Sequence, residues 1–476
     1  MRAFRIFPIA TGMLIVPALI ASTTQRAAAQ DSTASLHYKG VTLAPVGYFA
    51  AEGVWRQRNI TADIGSSFNA IPFSGTTNAG LSEMRLSGRQ SRIGVLATAN
   101  AGTTKFTGLW ESDFLGVGTS SNNNESNSYT LRLRQFWGSA ALQRGWTVSA
   151  GQMWSLLTAH KLGMSPRAEA IPLTIEAQYV AGFNWARQFS LRAVNRLGDA
   201  ASVGIAIEGA QTTFSARNAP ASFVMGQPGG STLNATAMYS TDYSPDLVLK
   251  LAIDPKGFGH WELKAIGREM RDRVVNPATP GSTHNTISTA YGLGFGVYVP
   301  IMAGKRDIAD IGLSGLAGRG IGRYGSAQLP DATVGADSAL VPISALHGLL
   351  AIETHPRTNL DVYTYAGAEY ADRTAFVNGA GQGVGYGSPL NNNTGCETEM
   401  PPTNQNTPNS GACSADTRAI WQGTVGFWYR FYKGAAGTAQ WGMQYSYTSR
   451  NTWSGQGLQP QATNHMAFTS FRYVLP

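Results

Sequence analysis

The stretch SYTLRLRQFWG, residues 128–138, alternates apolar and polar side chains along most of its length. Successive side chains of a β-strand point to opposite faces, so Leu131 and Leu133 share one face while Arg132 and Arg134 share the other. Such a strand separates an apolar medium from a polar one. Soluble β-sandwiches also alternate, so the interpretation depends on the recurrence of this pattern along a chain that begins with an export signal.

Residues 1–30 have the features of a secretory signal peptide. Basic residues precede an apolar run over residues 7–20, and small residues close the segment without an acidic side chain. We expect cleavage after Ala29 or Gln30, which leaves residues 31–476 as one domain. That length exceeds one ordinary soluble core but suits a barrel of sixteen to eighteen strands. No later stretch approaches the roughly 18 apolar residues of a spanning helix.

The composition argues against nucleic-acid binding. The chain has 36 Lys and Arg against 28 Asp and Glu, and its net charge falls from +8 to +5 once the three arginines of the signal are removed. These basic residues are dispersed, whereas nucleic-acid sites concentrate them. Arginine is much commoner than lysine, and a guanidinium fork suits carboxylate or phosphate recognition. Arginine-lined pores and a simple surface preference both remain open.

The two cysteines, Cys396 and Cys413, lie in a segment rich in Asn, Pro and Gly. We expect a disulfide within an outer loop, because an exported chain meets oxidising conditions. Closing a loop of this size stabilises a protein by about 3 kcal/mol in the chain-entropy model. A metal site there is disfavoured, because no histidine lies nearby. No metal and no cofactor is expected.

Long and short connections alternate along the chain, as in bacterial barrels with short periplasmic turns and long outer loops. Seventeen strand segments are predicted, one of them at 232–241, and the alternation breaks at 255–259. Bacterial barrels have even strand counts, so we favour an all-β transmembrane antiparallel barrel of sixteen strands, with eighteen as the alternative. The segment after the fifth strand, 155–176, is predicted to be the third outer loop. Its constriction candidates are His160, Lys161, Arg167 and Glu169.

Tryptophans fall near predicted strand ends, which favours the aromatic girdles of a membrane barrel over core filling. They are Trp55, Trp110, Trp137, Trp146, Trp154, Trp261, Trp428 and Trp441.

Several short motifs resemble those of the DcaP-like trimeric outer-membrane porins, in the same order, over roughly residues 82–325. They are SRIGV (91–95), ESDFLG (111–116), GQMWSLL (151–157), Arg187-Gln188, SPDLVLKLAID with GHWEL (244–263) and GRGIGRY (318–324). The resemblance implies a sixteen-stranded trimeric channel for small, often negatively charged solutes such as dicarboxylates.

Two features depart from that family. Residues 31–40 lack the heptads that precede the barrel in family members, so trimerisation is expected to rest on the barrel wall. The final strand ends in Pro476 rather than in an aromatic residue, so recognition by the barrel-assembly machinery is expected to use Tyr473.

Strand parity predicts which charged residues face the lumen. If residues 115–127 join two neighbouring strands, Glu111 and Asp113 lie beside Arg132 and Arg134. The functional interpretation is an arginine ladder that selects anions, and the alternative is salt-bridged wall packing. By the same parity, further pore-lining candidates are Arg92, Arg192, Lys264 and Arg268.

These observations predict a porin of the cell outer membrane that admits small hydrophilic solutes, with anion preference as a hypothesis. Outer-membrane lipid and lipopolysaccharide are its expected surroundings, and a homotrimer its expected assembly. An enzyme is not expected, because the seven histidines are scattered without ligand or triad spacing. The alternatives are a non-channel surface or structural barrel and a lipase-like outer-membrane enzyme.

Overall fold

A computed structural model describes residues 35–116, 130–224, 241–276, 278–279, 281–304, 306–399 and 413–476. The predicted signal peptide, residues 1–30, lies outside the described residues and stays a prediction. In the described part of the chain, no helix is long and apolar enough to cross a membrane.

In the described part of the chain, sixteen strands form the barrel wall, apart from several short additional strands, and we number these sixteen in chain order. They are β1 Val41–Arg56, β2 Arg92–Ala101, β3 Thr104–Gly116, β4 Thr130–Ala141, β5 Trp146–Trp154, β6 Arg187–Leu197, β7 Ala201–Glu208, β8 Asp246–Ile253, β9 His260–Val274, β10 His284–Ala303, β11 Arg306–Arg319, β12 Ser344–Arg357, β13 Leu360–Ala371, β14 Thr417–Gly434, β15 Gly437–Thr452 and β16 Gln461–Val474.

Each strand pairs antiparallel with its neighbours in sequence, and the sheet closes on itself between β1 and β16. Tyr48 of β1 lies opposite Arg92 of β2 on one side and opposite Val474 of β16 on the other. A short strand, Glu83–Ser87, continues the β2 side of β1 toward its far end. The closed all-β barrel with sixteen strands is therefore confirmed.

The predicted strand at 232–241 lies almost entirely outside the described residues, and β7 and β8 on either side of it pair directly with each other. Without that segment the connections alternate in length throughout. Connections of two to six residues, including 254–259 between β8 and β9, share one end of the barrel, and connections of eight or more share the other. The alternation of connection lengths thus seemed to break at 255–259 because a strand was predicted at 232–241.

The two faces of the wall differ in polarity. On β8, Leu247, Leu249 and Leu251 point outward and are 44 to 47% exposed, whereas Asp246 and Lys250 point inward and are buried. An apolar exterior around a polar interior is the pattern of a membrane-spanning barrel. The inward parity predicted for the acids of β3 holds, since Asp113 lies opposite Arg132. Arg134 lies on the same inner face by alternation, and a register shift in β4 places Gln135 opposite Glu111.

The prediction that tryptophans form aromatic girdles at the membrane interfaces is confirmed for only some of them. Trp55, Trp146 and Trp261 are 43 to 46% exposed, as an interface position requires. Trp137, Trp154 and Trp428 were wrongly assigned to the girdle, because each is at most 5% exposed and packs inside the barrel. Loops that fold into the lumen supply the inner layer against which Trp154 and Trp428 pack.

Glycines of β10 make room for charged side chains of β9. Gly294 lies opposite Lys264 and Gly296 opposite Glu262. A Cβ atom added at Gly296 would lie 2.6 Å from Glu262 Oε1. One added at Gly294 would lie 2.5 Å from the carbonyl oxygen of Gly315 and 3.0 Å from Lys264 Cε. The flat inner surface of β10 therefore lets the charged side chains of β9 lie across it.

We predict that Gly294→Val lowers barrel stability by about 1–3 kcal/mol through overpacking. Urea unfolding in lipid vesicles, followed by tryptophan fluorescence, measures the change. Gly267→Val is the matched control, because a Cβ atom at that position has no heavy atom within 4 Å. Equal unfolding midpoints for the two variants would contradict the proposed packing role of Gly294.

Candidate pore constriction

The connection between β5 and β6, residues 155–186, enters the barrel lumen, and we call it the constriction loop. Its two ends meet where Ser155 donates its backbone N–H to the carbonyl oxygen of Ala186. Glu208 of β7 fixes the first turn, because its carboxylate accepts from Ser155 Oγ at 2.6 Å and from the backbone N–H of Leu156 at 2.7 Å. The loop therefore leaves the wall in a defined inward direction.

Two buried lysines hold the first limb of the loop against the wall. Lys250 Nζ donates to the carbonyl oxygen of Thr158 and to Glu262, both at 2.8 Å. Lys264 Nζ donates to the carbonyl oxygen of Leu157 at 2.7 Å and lies 3.3 Å from Glu262. Both ammonium groups are enclosed; they share the single carboxylate of Glu262, and carbonyl oxygens of the loop accept further hydrogen bonds from them.

The tip of the loop reaches the opposite side of the wall. Lys161 Nζ lies 2.6 Å from Glu353 of β12 and 3.0 Å from Asp310 of β11. Burial acts to lower the pKa of Lys161, but the charges of Glu353 and Asp310 raise it overall. The tip is thus ionised and tied to two strands. His160 beside it is enclosed, and burial together with the charge of Lys250 lowers its pKa well below its usual range.

The return limb is fixed to β13, β14 and β15. Leu173 donates its N–H to Tyr365 Oη at 2.8 Å and accepts at its carbonyl oxygen from Trp428 Nε1 at 2.7 Å. The N–H of Ile175 donates to Gln444 Oε1 at 2.6 Å. With these contacts the loop follows the inner wall from β7 to β15.

A cavity of about 250 Å³ lies between the return limb and the wall formed by β13 to β16, β1 and β2. Its lining consists of Tyr48, Gln90, Arg92, Ile171, Pro172, Leu173, Thr174, Tyr179, Asp361, Trp428, Arg430, Gln440 and Arg472.

Three arginines and one carboxylate carry the charges of this lining. Arg472 lies 2.8 Å from Glu52 and stacks between the rings of Tyr48 and Trp428, with its guanidinium carbon 4.6 Å from each centroid. Arg430 pairs with Asp361. Arg92 lies over the ring of Tyr48 at 5.2 Å, and its Nε has no hydrogen-bond partner among the described residues.

A second cluster of charges lies next to Arg92, at the base of the loop. Arg134 bonds to Glu111 at 2.9 Å and to Asp113 at 2.7 Å, and Arg132 bonds to Asp113 at 2.8 Å. The predicted opposition of two acids and two arginines is present, as ion pairs across neighbouring strands. This arrangement matches the salt-bridged wall interpretation for Arg134, which is 2% exposed.

Tyr179 of the loop closes this cluster. Its hydroxyl oxygen accepts from Arg134 Nη2 at 3.0 Å, and its backbone has φ of 66°, which is uncommon for a bulky residue. Burial acts to raise the pKa of Tyr179, but the positive charges of Arg134, Arg92 and Arg187 lower it to about 7. Around the Tyr179 hydroxyl, the arginines outnumber the acids, which leaves an excess of positive charge. The arginines are Arg92, Arg132, Arg134 and Arg187, and the acids are Glu111 and Asp113.

Of the eight predicted pore-lining residues, only Arg92 lines the cavity; four form the ion-pair cluster next to it, and three lie elsewhere on the wall. Arg192, Lys264 and Arg268 face inward but are only 1 to 3% exposed, because the constriction loop and other outer loops cover them. Arg192 Nη2 donates to the carbonyl oxygen of Trp154, and Arg268 pairs with Asp246 and Asp331, each at 3.1 Å. Their assignment as pore lining is corrected for this reason. Arg92 does line the cavity.

The sequence interpretation missed Arg430 and Arg472. Both follow the parity rule, since Tyr429 and Phe431 flank the first and Phe471 and Tyr473 flank the second, and all four aromatic side chains point outward. Applying the rule to the last three strands would have found them. The stacking of Arg472 on Trp428 depends on two strands far apart in sequence, and no local pattern indicates it.

The remaining loop candidates take different positions. Arg167 is exposed, with φ of 76°, and its backbone N–H donates to Glu169 Oε2 at 2.8 Å. The backbone of Glu169 lies opposite that of His160 in an isolated antiparallel β-bridge across the tip, and burial raises the pKa of Glu169. Neither lines the cavity.

One group of possible metal ligands occurs in the described ranges. Asp307, Asp310 and His355 offer atoms within 4.8 Å of one another. Asp310 is paired with Lys161 and His355 with Asp361, so the group is part of an ion-pair network. Cys396 and Cys413 form the disulfide, and Cys396 packs with Ile71 and Phe73 of the first long connection.

We predict that one tyrosine titrates near pH 7, far below the ordinary tyrosine pKa of about 10. As pH rises through about 7, tyrosinate absorbance should increase by one residue in the wild-type protein and not in Tyr179→Phe. Tyr432→Phe, at an exposed position, is the control. Superimposable titrations of all three proteins below pH about 9 would contradict the electrostatic assignment of this site.

No protein-family model and no curated protein sequence matches this chain. Among solved structures, it is similar to the outer membrane channel DcaP of Acinetobacter baumannii, with a TM-score of 0.63 and 14% identity over 93% of this chain and 100% of that chain. OmpF of Salmonella typhi, in complex with daunomycin, has a TM-score of 0.47 and 10% identity over 93% and 100%. The anion-selective porin of Comamonas acidovorans has a TM-score of 0.46 and 11% identity over 91% and 100%. At these identities the similarity concerns the fold, and the fold implied by the resemblance to DcaP-like porins is confirmed.

Proposed function

We propose that this protein is an outer-membrane porin through which small hydrophilic solutes diffuse, with a preference for anions. A closed barrel with an apolar exterior supports the membrane location. The constriction loop lies inside the barrel, and a cavity of about 250 Å³ with several polar and charged lining residues lies beside it. Similarity of fold to the DcaP channel is consistent with this proposal.

One observation carries the anion preference. The cavity lining contains Arg92, Arg430 and Arg472 but only one carboxylate, Asp361. In a narrow passage with low-dielectric walls, an excess of fixed positive charge raises the local concentration of anions. Glu52 reduces the excess, because it pairs with Arg472, and Arg92 keeps an unpaired Nε. Dicarboxylates are the solute class that we infer from the family resemblance.

The wider assembly follows from the same proposal. Lipid and lipopolysaccharide would surround the apolar exterior, and the barrel-assembly machinery would recognise the final strand. Phe471 and Tyr473 of that strand point outward and are 55% and 39% exposed, so they are accessible for such recognition. We further propose a homotrimer as the functional unit.

Planar-bilayer recording tests the channel and its selectivity. Wild-type protein should give discrete conductance steps and an anion-directed reversal potential in a salt gradient. In the double variant Arg92→Gln, Arg430→Gln, the ratio of anion to cation permeability should fall at least about threefold, because two positive charges leave the lining. Arg196→Gln is the control, since Arg196 lies exposed at the end of β6.

Three outcomes separate the alternatives. Absence of conductance steps from correctly folded protein would refute the channel and favour a surface or structural barrel. Conductance with the same selectivity in the double variant and the wild type would leave a non-selective pore. Hydrolysis of lipid or ester substrates by the purified protein would favour the lipase-like enzyme. Selectivity should weaken at high salt in the wild type, because screening shortens the range of the arginine charges.

A further inference from the structure

Trp428 lies where the constriction loop meets the arginine-bearing part of the cavity. It points inward from β14, is 4% exposed and belongs to the cavity lining. Gly442 lies opposite it on β15, and a Cβ atom added there would lie 2.7 Å from Trp428 Cε3. The lack of a side chain at Gly442 therefore leaves the space that the indole ring occupies, and the wall itself determines where the ring lies.

The edge of the indole ring holds the return limb of the constriction loop. Its Nε1 donates to the carbonyl oxygen of Leu173 at 2.7 Å, and the N–H of Leu173 donates to Tyr365 Oη at 2.8 Å. Both backbone polar groups of Leu173 are thus bonded to side chains of the wall. Removing the indole N–H would leave this partly buried carbonyl oxygen without its donor, which favours movement of the limb toward water.

The face of the indole ring holds Arg472. The guanidinium carbon lies 4.6 Å from the ring centroids of both Trp428 and Tyr48. Its Nε and Nη2 donate to Glu52 Oε1 at 3.0 and 2.8 Å, and no residue in the described part of the chain accepts a hydrogen bond from Nη1. A planar guanidinium between two aromatic rings has its donors fixed in direction. Because Arg472 lines the cavity, Nη1 is available to an anion there.

We propose that Trp428 is a positioning residue of the pore. Its N–H fixes the return limb of the constriction loop, and its ring face directs Arg472 toward the cavity. This inference deepens the proposed porin function and rests on it. One rigid side chain thus sets both the position of the loop and the charge that faces the passage, and each contact can be removed without the other.

Planar-bilayer recording with a tryptophan analogue at position 428 tests the contact with the loop. Benzothienyl-alanine in place of Trp428 keeps the shape of the ring but has sulfur where the N–H was. The time spent in reduced-conductance levels should rise at least about fivefold, because the loss of one buried hydrogen bond shifts an equilibrium by this much. The reversal potential of the fully open level should stay that of the wild type. The same replacement of Trp421, on the outer face of β14 and 45% exposed, is the control and should change neither.

Paired variants test the contact with Arg472. In Trp428→Met, the ratio of anion to cation permeability should fall at least about twofold, because the guanidinium is no longer held toward the cavity. Trp428→Met combined with Arg472→Gln should give the same ratio as Arg472→Gln alone, because the ring acts through that arginine. Trp421→Met is the control and should keep the wild-type ratio. Heat-dependent gel mobility shows whether each variant is folded. If Trp428→Met does not fold, a ring-fluorinated tryptophan at position 428 takes its place, because fluorine weakens the attraction of the ring face for a cation at nearly constant shape.

Several outcomes would overturn the role of Trp428. The contact with the loop is wrong if the benzothienyl variant conducts as steadily as the wild type. The contact with Arg472 is wrong if the folded ring variant keeps the wild-type permeability ratio, or lowers it equally with and without Arg472. Wild-type protein that conducts without anion preference would refute the role of the ring face together with the proposed selectivity, and wild-type protein without conductance would refute the porin function as well. If the wild type conducts and prefers anions, failure of the variants refutes this inference alone.

Discussion

The structure of the lumen depends on the buried ion pairs among Lys250, Lys264 and Glu262. These side chains point inward from β8 and β9, and the constriction loop covers them. Buried charges are costly unless they are paired and fully hydrogen-bonded. The wall supplies the pairing through Glu262, and the carbonyl oxygens of Leu157 and Thr158 supply the remaining hydrogen bonds. The loop and the wall therefore stabilise each other through these groups.

This anchoring makes the lumen asymmetric. The loop packs against the wall from β7 to β15, and charged residues beneath it are held in ion pairs. Arg92 of β2, Arg430 of β14 and Arg472 of β16 line the cavity that remains beside its return limb. Arginines thus have two roles in the same barrel. Arg134 and Arg268 cross-link the wall, where planar guanidinium groups bond to two carboxylates at once, and those of the cavity create a positive field.

Strand parity predicted the fold and the inward faces because it is a local property. Alternation along β4 and β8 follows from the period of a strand, and it required no knowledge of the rest of the chain. The strand count needed the length of each connection as well. The strand predicted at 232–241 shifted the alternation of long and short connections by one. Residues 255–259 then fell where a long connection was expected, although they belong to an ordinary short connection between β8 and β9.

Parity could not predict which inward residues remain open to the lumen. The path of residues 155–186 decides this, and that path depends on hydrogen bonds to Tyr365, Trp428 and Gln444, more than 180 residues away in sequence. For this reason Arg192, Lys264 and Arg268 were placed in the pore, and Trp154 in the girdle. Arg472 was overlooked, because its position depends on stacking against Trp428, two strands away, and against Tyr48 of β1, which barrel closure brings beside it.

The central claim is that current passes between the constriction loop and the arginine-bearing wall. Ile171→Cys places a thiol on the loop side of this passage, in a protein whose two native cysteines are joined to each other. Its modification by a negatively charged methanethiosulfonate should be faster than by a positively charged one, and each adduct should reduce single-channel conductance. Thr103→Cys, in an exposed turn, should show neither effect. An adduct at residue 171 that leaves the conductance unchanged, or faster reaction with the cationic reagent, would contradict the account.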